Sequence, residues 1–156
     1  MTKQRTLEEL VVEVEALRRF GKKVALANGV FDLLHVGHLR YLQGAKALAD
    51  VLIVAVNSDA STRTYKGPGR PIIPCDERVE LLCALACTDF VLVFDALDVR
   101  STLAALKPDI HVKGSDYTTE SIPERDEVHA YGGRVAIAGD PKNHSTTTTL
   151  ELMKKV

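Results

Sequence analysis

Five short apolar segments rich in Val, Ile and Ala recur along the chain: KVALAN (23–28), VLIVAVN (51–57), DFVLVF (89–94), DIHVKG (109–114) and RVAIAG (134–139). Each runs into polar or Gly-containing turns, and most are followed by a helical pattern. Apolar runs without strict alternation suit strands covered on both faces. Separated by helices, such strands are expected to form a doubly wound parallel α/β sheet with right-handed crossovers. Ahead of them, TLEELVVEVEALRRFG places Thr6 and Glu9 at capping-box spacing, carries apolar residues at helical intervals and stops at Gly21. The expected organisation is an N-terminal helical extension over 1–22 and a single domain over 23–156, in a chain of 156 residues with 46% apolar composition.

Charge and cysteine content narrow the partners. Lys and Arg number 20 against 21 Asp and Glu, so no strong overall field draws the chain to nucleic acid or to an acidic membrane surface. The apolar runs are too short to cross a membrane, and MTKQRTLEEL lacks a signal-peptide core, so a cytoplasmic protein is expected. Cys75, Cys83 and Cys87 form no C-x-x-C pair and read as buried thiols. The Gly- and Pro-rich YKGPGRPIIP reads as the main irregular loop, lying between a strand end and the helix CDERVELLCAL.

In an open parallel sheet, ligands bind beyond the carboxyl ends of the strands, where the strand order reverses. ANGVFDLLHVGHLRYLQGAKAL begins at such an end. Gly29 is expected to allow a tight turn, and a helix is expected to start near Gly37, its first N–H groups open to anions. His35 and His38 then fall on nearly one side of that helix start, where two imidazoles suit a polyphosphate. A zinc pair would need a third His or Cys at metal spacing, and Asp32 is a poor substitute. Ordinary loop histidines stay open as a reading. No G-x-G-x-x-G follows a strand and no G-x-x-x-x-G-K-[ST] occurs, which argues against a dinucleotide dehydrogenase and a P-loop NTPase. In NHSTTTTLELM, Ser145 is a good helix N-cap, and the hydroxyls and N–H groups of Thr146 and Thr147 would make a second anion-ready helix start.

NGVFDLLHVGH resembles the H-x-G-H signature of the cytidylyltransferase-type nucleotidyltransferase superfamily. VAVNSD, YKGPGRPIIPCDERVELLCAL, VKGSDY and HSTTTTLELM follow in that family's order, from about residue 23 onward. Within it the chain is most similar to the heptose 1-phosphate adenylyltransferase domains of ADP-heptose synthases. The resemblance implies a Rossmann-like nucleotidyltransferase domain that transfers AMP from ATP to D-glycero-β-D-manno-heptose 1-phosphate, releasing pyrophosphate. It also implies His35, His38 and Lys66 as catalytic residues, with Lys66 on a loop that closes over the phosphates. Nucleotide contacts would come from Gly29, Val30, Phe31, Arg78, Lys113, Gly114, Asp116, Asn143, Ser145 and Thr146 as well, with Lys46, Asp32 and Lys142 as further candidates. Several relatives carry an arginine and a glycine before the serine and threonines where this chain has GDPKNHSTT, so Lys142 would supply the charge. Mg²⁺ would rest mainly on phosphates and water, with no metal ligands from the protein. A homodimer and a separate upstream sugar kinase are also implied. Glycerol-3-phosphate or phosphocholine cytidylyltransferases and flavin adenylyltransferases share most of the signature. The non-enzymatic alternative is a nucleotide-binding sensor.

Overall fold

A computed structural model describes residues 2–141 and 145–156. In chain order the elements are α1 (Leu7–Arg19), β1 (Val24–Gly29), α2 (Val36–Ala47), β2 (Val51–Asn57), α3 (Asp59–Lys66), α4 (Cys75–Ala84), β3 (Phe90–Phe94), α5 (Arg100–Leu106), β4 (Ile110–Gly114), α6 (Arg125–Ala130), β5 (Arg134–Ala138) and α7 (Thr146–Met153). All five apolar segments are strands. They form one sheet in the order β3-β2-β1-β4-β5, every pair parallel, which is the doubly wound, Rossmann-like arrangement.

Successive side chains on a strand point to opposite faces, and both faces are covered. Ala25, Ala27, Leu52, Val54 and Val56 pack with Leu42 and Ala45 of α2 and Val79 and Leu82 of α4. Val24, Leu26, Ile53 and Ala55 pack with Leu10 and Val14 of α1, Leu103 and Leu106 of α5, and Val128 of α6. That double burial explains why the strands read as unbroken apolar runs. Helix α1 carries the expected reciprocal cap: Glu9 N–H donates to Thr6 Oγ1 at 3.2 Å, and Thr6 N–H to Glu9 Oε2 at 2.8 Å. It belongs to the core, since Leu10 and Val14 are buried beneath it and the backbone just before it pairs with Val91 of β3.

Two local expectations change. The stretch after β2 does not pass straight into the irregular loop but first forms α3. Ser58 caps that helix by accepting the N–H of Ser61, and its only buried residues are Ser61 and Thr62, so no apolar periodicity announced it. The turn after β1 is made not by Gly29 but by Phe31 (φ 54°) and Leu33 (φ 47°), non-glycine residues in the left-handed region. Gly29 matters for a different reason: a Cβ there would crowd the Phe31 ring at 3.3 Å. The three cysteines are free thiols, each partly exposed rather than fully buried, and all pack against the core on the α2 and α4 face.

Candidate active site

The strand order reverses between β1 and β4, and a cavity of about 480 Å³ opens over their carboxyl ends. Gly29, Val30, Phe31, Asp32, His35, His38, Lys66, Lys113, Gly114, Asp116, Ser145 and Thr146 all line it. Twelve of the residues read from the sequence are therefore brought together from four separate stretches of chain.

His35 is the N-cap of α2, with extended backbone (φ −136°, ψ 174°), and its Nδ1 accepts the N–H of Gly37 at 3.1 Å. His38, in the first turn, accepts the N–H of His35 on its own Nδ1 at 3.3 Å. The rings lie 3.9 Å apart, centroid to centroid. Both histidines thus spend Nδ1 on the backbone, and a neutral ring so bonded carries its proton on Nε2. The helix start is in part self-capped, so its expected open N–H groups are fewer. Phe31 supports the pair from below, 5.6 Å from the His38 ring and stacked on Tyr41 at 6.4 Å.

Asp32 is 2% exposed, and its carboxylate is committed to the fold. It accepts N–H bonds from Ile72 (2.8 Å) and Ile73 (2.9 Å) and one from Arg70 Nε (3.0 Å). Burial alone would raise its pKa, but these bonds and the Arg70 charge outweigh burial and hold it below the ordinary aspartate value. Its backbone carbonyl accepts the hydroxyl of Thr146. One residue therefore ties the β1–α2 turn to the 67–74 loop and to α7. The Thr146 hydroxyl serves that link, and Ser145 Oγ accepts the N–H of Thr148 at 3.0 Å as an N-cap. Ser145 is thus the expected N-cap, whereas the Thr146 hydroxyl, expected at an anion, holds α7 in place.

Lys66 is the last residue of α3 rather than part of the loop; Gly67 (φ 96°) ends the helix immediately after it. Its ammonium lies 5.0 Å from the Tyr65 ring centroid. Lys113, one residue before the end of β4, holds its ammonium 4.6 Å from the Tyr117 ring centroid. Burial lowers the Lys113 pKa, and the nearby Glu124 and Asp116 carboxylates offset part of that.

Two expected contacts fall outside the cavity. Arg78 is fully buried behind it, where its guanidinium donates to the carbonyls of Val30, Asn57 and Ile73 and pairs with Asp59 at 2.8 Å. It positions the β1–α2 turn rather than touching a ligand. Lys46 sits at the far end of α2 and pairs with Asp89 at 2.6 Å beside the start of β2, the wrong end of the sheet for a ligand. Lys142 and Asn143 lie outside the described residues.

The cavity also contains residues that sequence reasoning missed. Asn28 is the penultimate residue of β1, Asn57 ends β2, and Tyr41 is three residues beyond His38 on the same helix; strand-end and helical spacing were signals for them. Arg70, Tyr117 and Glu124 reach the site through tertiary placement alone. Asn28 is set by an unpredicted partner. Burial, with Lys113 nearby, pushes the pKa of His111 down to about 3, so its ring is neutral. Nε2 lies 2.9 Å from Asn28 Oδ1, which assigns the proton to Nε2 and turns the amide NH₂ of Asn28 away from the histidine. Among the described residues no group of three or more His, Cys, Asp or Glu is arranged to hold a metal, and no helix is long and apolar enough to cross a membrane.

Comparison with known proteins agrees with this geometry. The profile of the cytidylyltransferase-like family matches residues 26–151. The bifunctional protein HldE of Syntrophotalea carbinolica is 48% identical over 150 residues, covering 96% of this chain and 31% of that protein. HldE of Geobacter metallireducens is 45% identical over 149 residues, 96% of this chain and 30% of that one. The chain thus spans about a third of the length of these relatives. Among solved structures, the lipopolysaccharide core biosynthesis protein of Thermoplasma volcanium superposes with a TM-score of 0.64 at 32% identity, covering 75% of this chain and 94% of that one.

Proposed function

Because the chain belongs to the cytidylyltransferase-like family, we propose that it is a nucleotidyltransferase acting on ATP and D-glycero-β-D-manno-heptose 1-phosphate, with ADP-heptose and pyrophosphate as products. The observation that carries the reading is the pair of histidines capping α2 at the switch point of the sheet. An oxygen of the sugar phosphate attacks the α-phosphorus of ATP in line. The new P–O bond forms as the bond to the α,β-bridging oxygen breaks, and pyrophosphate leaves with the electron pair. The acceptor phosphate is already an anion near neutral pH, so no general base is required; the protein orients the reactants and stabilises the departing charge. In this reading His35 and His38 donate to that charge through Nε2–H, and the Lys66 ammonium, which lines the same cavity, helps neutralise it. Mg²⁺ bound to ATP would be held mainly by phosphate oxygens and water, and would supply charge neutralisation between the two phosphates.

Identity to HldE proteins and likeness to a structure named for lipopolysaccharide core biosynthesis support a sugar phosphate as acceptor. That acceptor is itself a phosphate ester, which a sugar kinase activity supplies. We assign the reaction to the cytoplasm, where ATP is available, and to a homodimer. Pyrophosphate release, measured with ATP or CTP against heptose 1-phosphate or glycerol 3-phosphate, tests the assignment. ATP with heptose 1-phosphate is expected to give the highest kcat/KM, because hydrogen bonds that the wrong base leaves unpaired cost several powers of ten. Faster turnover of CTP with glycerol 3-phosphate would replace the heptose assignment and keep the nucleotidyltransferase one. Nucleotide binding without pyrophosphate release from any pair would make the protein a sensor.

A further inference from the structure

Glu124 is a buried acid that the fold does not use. It is 5% exposed, and its Oε2 is sealed from solvent with no hydrogen-bond partner among the described residues. It occupies the N-cap position of α6, yet its side chain makes no cap bond. The acid one turn on, Glu127, pairs with Arg100, whereas Glu124 forms no ion pair among the described residues. A buried carboxylate oxygen without a donor costs stability, and Glu124 lines the cavity.

Its surroundings say which ligand group it suits. The charged and titratable groups that feel its charge are Lys113, Tyr41 and Tyr117, and Asp116 acts on the same three. The Tyr41 hydroxyl is taken, donating to the Val112 carbonyl at 2.6 Å, and the Lys113 ammonium lies over the Tyr117 ring. A carboxylate accepts hydrogen bonds and repels phosphate, so its natural ligand is a donor, and neighbouring hydroxyls of a polyol fit both oxygens. Glu124 also stands apart from the phosphate machinery: α6 packs on the sheet face opposite α2, which carries the two histidines.

Resting on the nucleotidyltransferase reading above, we propose that Glu124 binds the hydroxyl groups of the acceptor sugar and so selects a polyhydroxylated phosphate ester. The acceptor would lie with its phosphate toward the histidines and its hydroxyls toward α6. The ribose of ATP offers the same chemistry, so the test separates the two. In Glu124→Gln, which keeps the shape and removes the charge, KM for heptose 1-phosphate is expected to rise about tenfold, KM for ATP to stay within about twofold, and the thermal midpoint to hold or rise. An unchanged KM for heptose 1-phosphate overturns the proposal. So does a rise in KM for ATP that vanishes with 2′-deoxy-ATP, which would place the carboxylate on the ribose. If Glu124→Gln does not fold, Glu124→Asp, which keeps the charge and shortens its reach, must show the same KM pattern, and its absence overturns the proposal equally. A wild-type protein inactive with heptose 1-phosphate overturns the parent reading; an active one indifferent to Glu124 overturns only this inference.

Discussion

A histidine that caps its own helix has its tautomer chosen by the backbone. At His35 and His38 the Nδ1 atoms accept main-chain N–H groups, so the side chains serve the helix start and the chemistry through different nitrogens. The two roles separate by substitution. His35→Asn keeps an N-cap acceptor, and His38→Gln keeps the reciprocal acceptor at the third helical position. Each should hold the thermal midpoint within a few degrees while lowering kcat by about 10²-fold, the scale for losing one oriented donor at a developing charge. Melting curves and steady-state pyrophosphate release check this; full kcat in either variant would confine that histidine to capping. The pair was legible because a spacing of three is read directly from sequence. Its capping role was not, since histidine is not among the usual N-cap residues. Asn28 and His111 were hidden because 83 positions separate them and only the β1–β4 pairing brings them within 2.9 Å.

The elements reward comparing two basic helix residues that look alike in sequence. Arg78 and Lys46 each sit in a helix with no signal of burial, yet Arg78 is wholly enclosed and Lys46 retains about a third of its side-chain exposure. Arg78→Ala would strand the carbonyls of Val30 and Asn57 and the Asp59 carboxylate, and is expected to cost about 3–5 kcal/mol. Lys46→Ala should cost under about 1 kcal/mol and leave kcat unchanged. Urea unfolding of the two variants decides the matter, and equal losses would contradict the assignment. Helical periodicity was enough for α1 and unbroken apolar runs were enough for the five strands, because both faces of the sheet are covered. Periodicity failed for α3, whose helix rests on a serine cap and a polar interior, and for Arg78, whose neighbours lie on three other segments. The chemistry at the ends of β1 and β4 could be read early because the ligand end of a parallel sheet follows from topology; the wall built by α6 could not, since nothing local marks Glu124.

At the scale of the molecule, Asp32 joins parts of the chain that are far apart in sequence, and its protonation measures that junction. Its folded pKa lies below the unfolded value of about 3.9, so its stabilisation is fully present above that value and disappears as pH falls through the depressed folded one. The stability gap between the wild type and Asp32→Asn should therefore be constant from neutral pH down to about pH 5 and close below about pH 4. Urea midpoints across that range test it; a gap that persists at the acid end would deny the carboxylate this role. The same residue also bears on synthesis. Its bonds to Ile72 and Ile73 span 40 and 41 positions, but its link to Thr146 spans 114, and Thr146 is the only buried residue of α7. A nascent chain leaving the ribosome can dock the 67–74 loop onto Asp32 while most of the sheet is unmade. The remaining wall of the pocket waits for α7, so a chain synthesised only as far as β5 holds a half-open cleft.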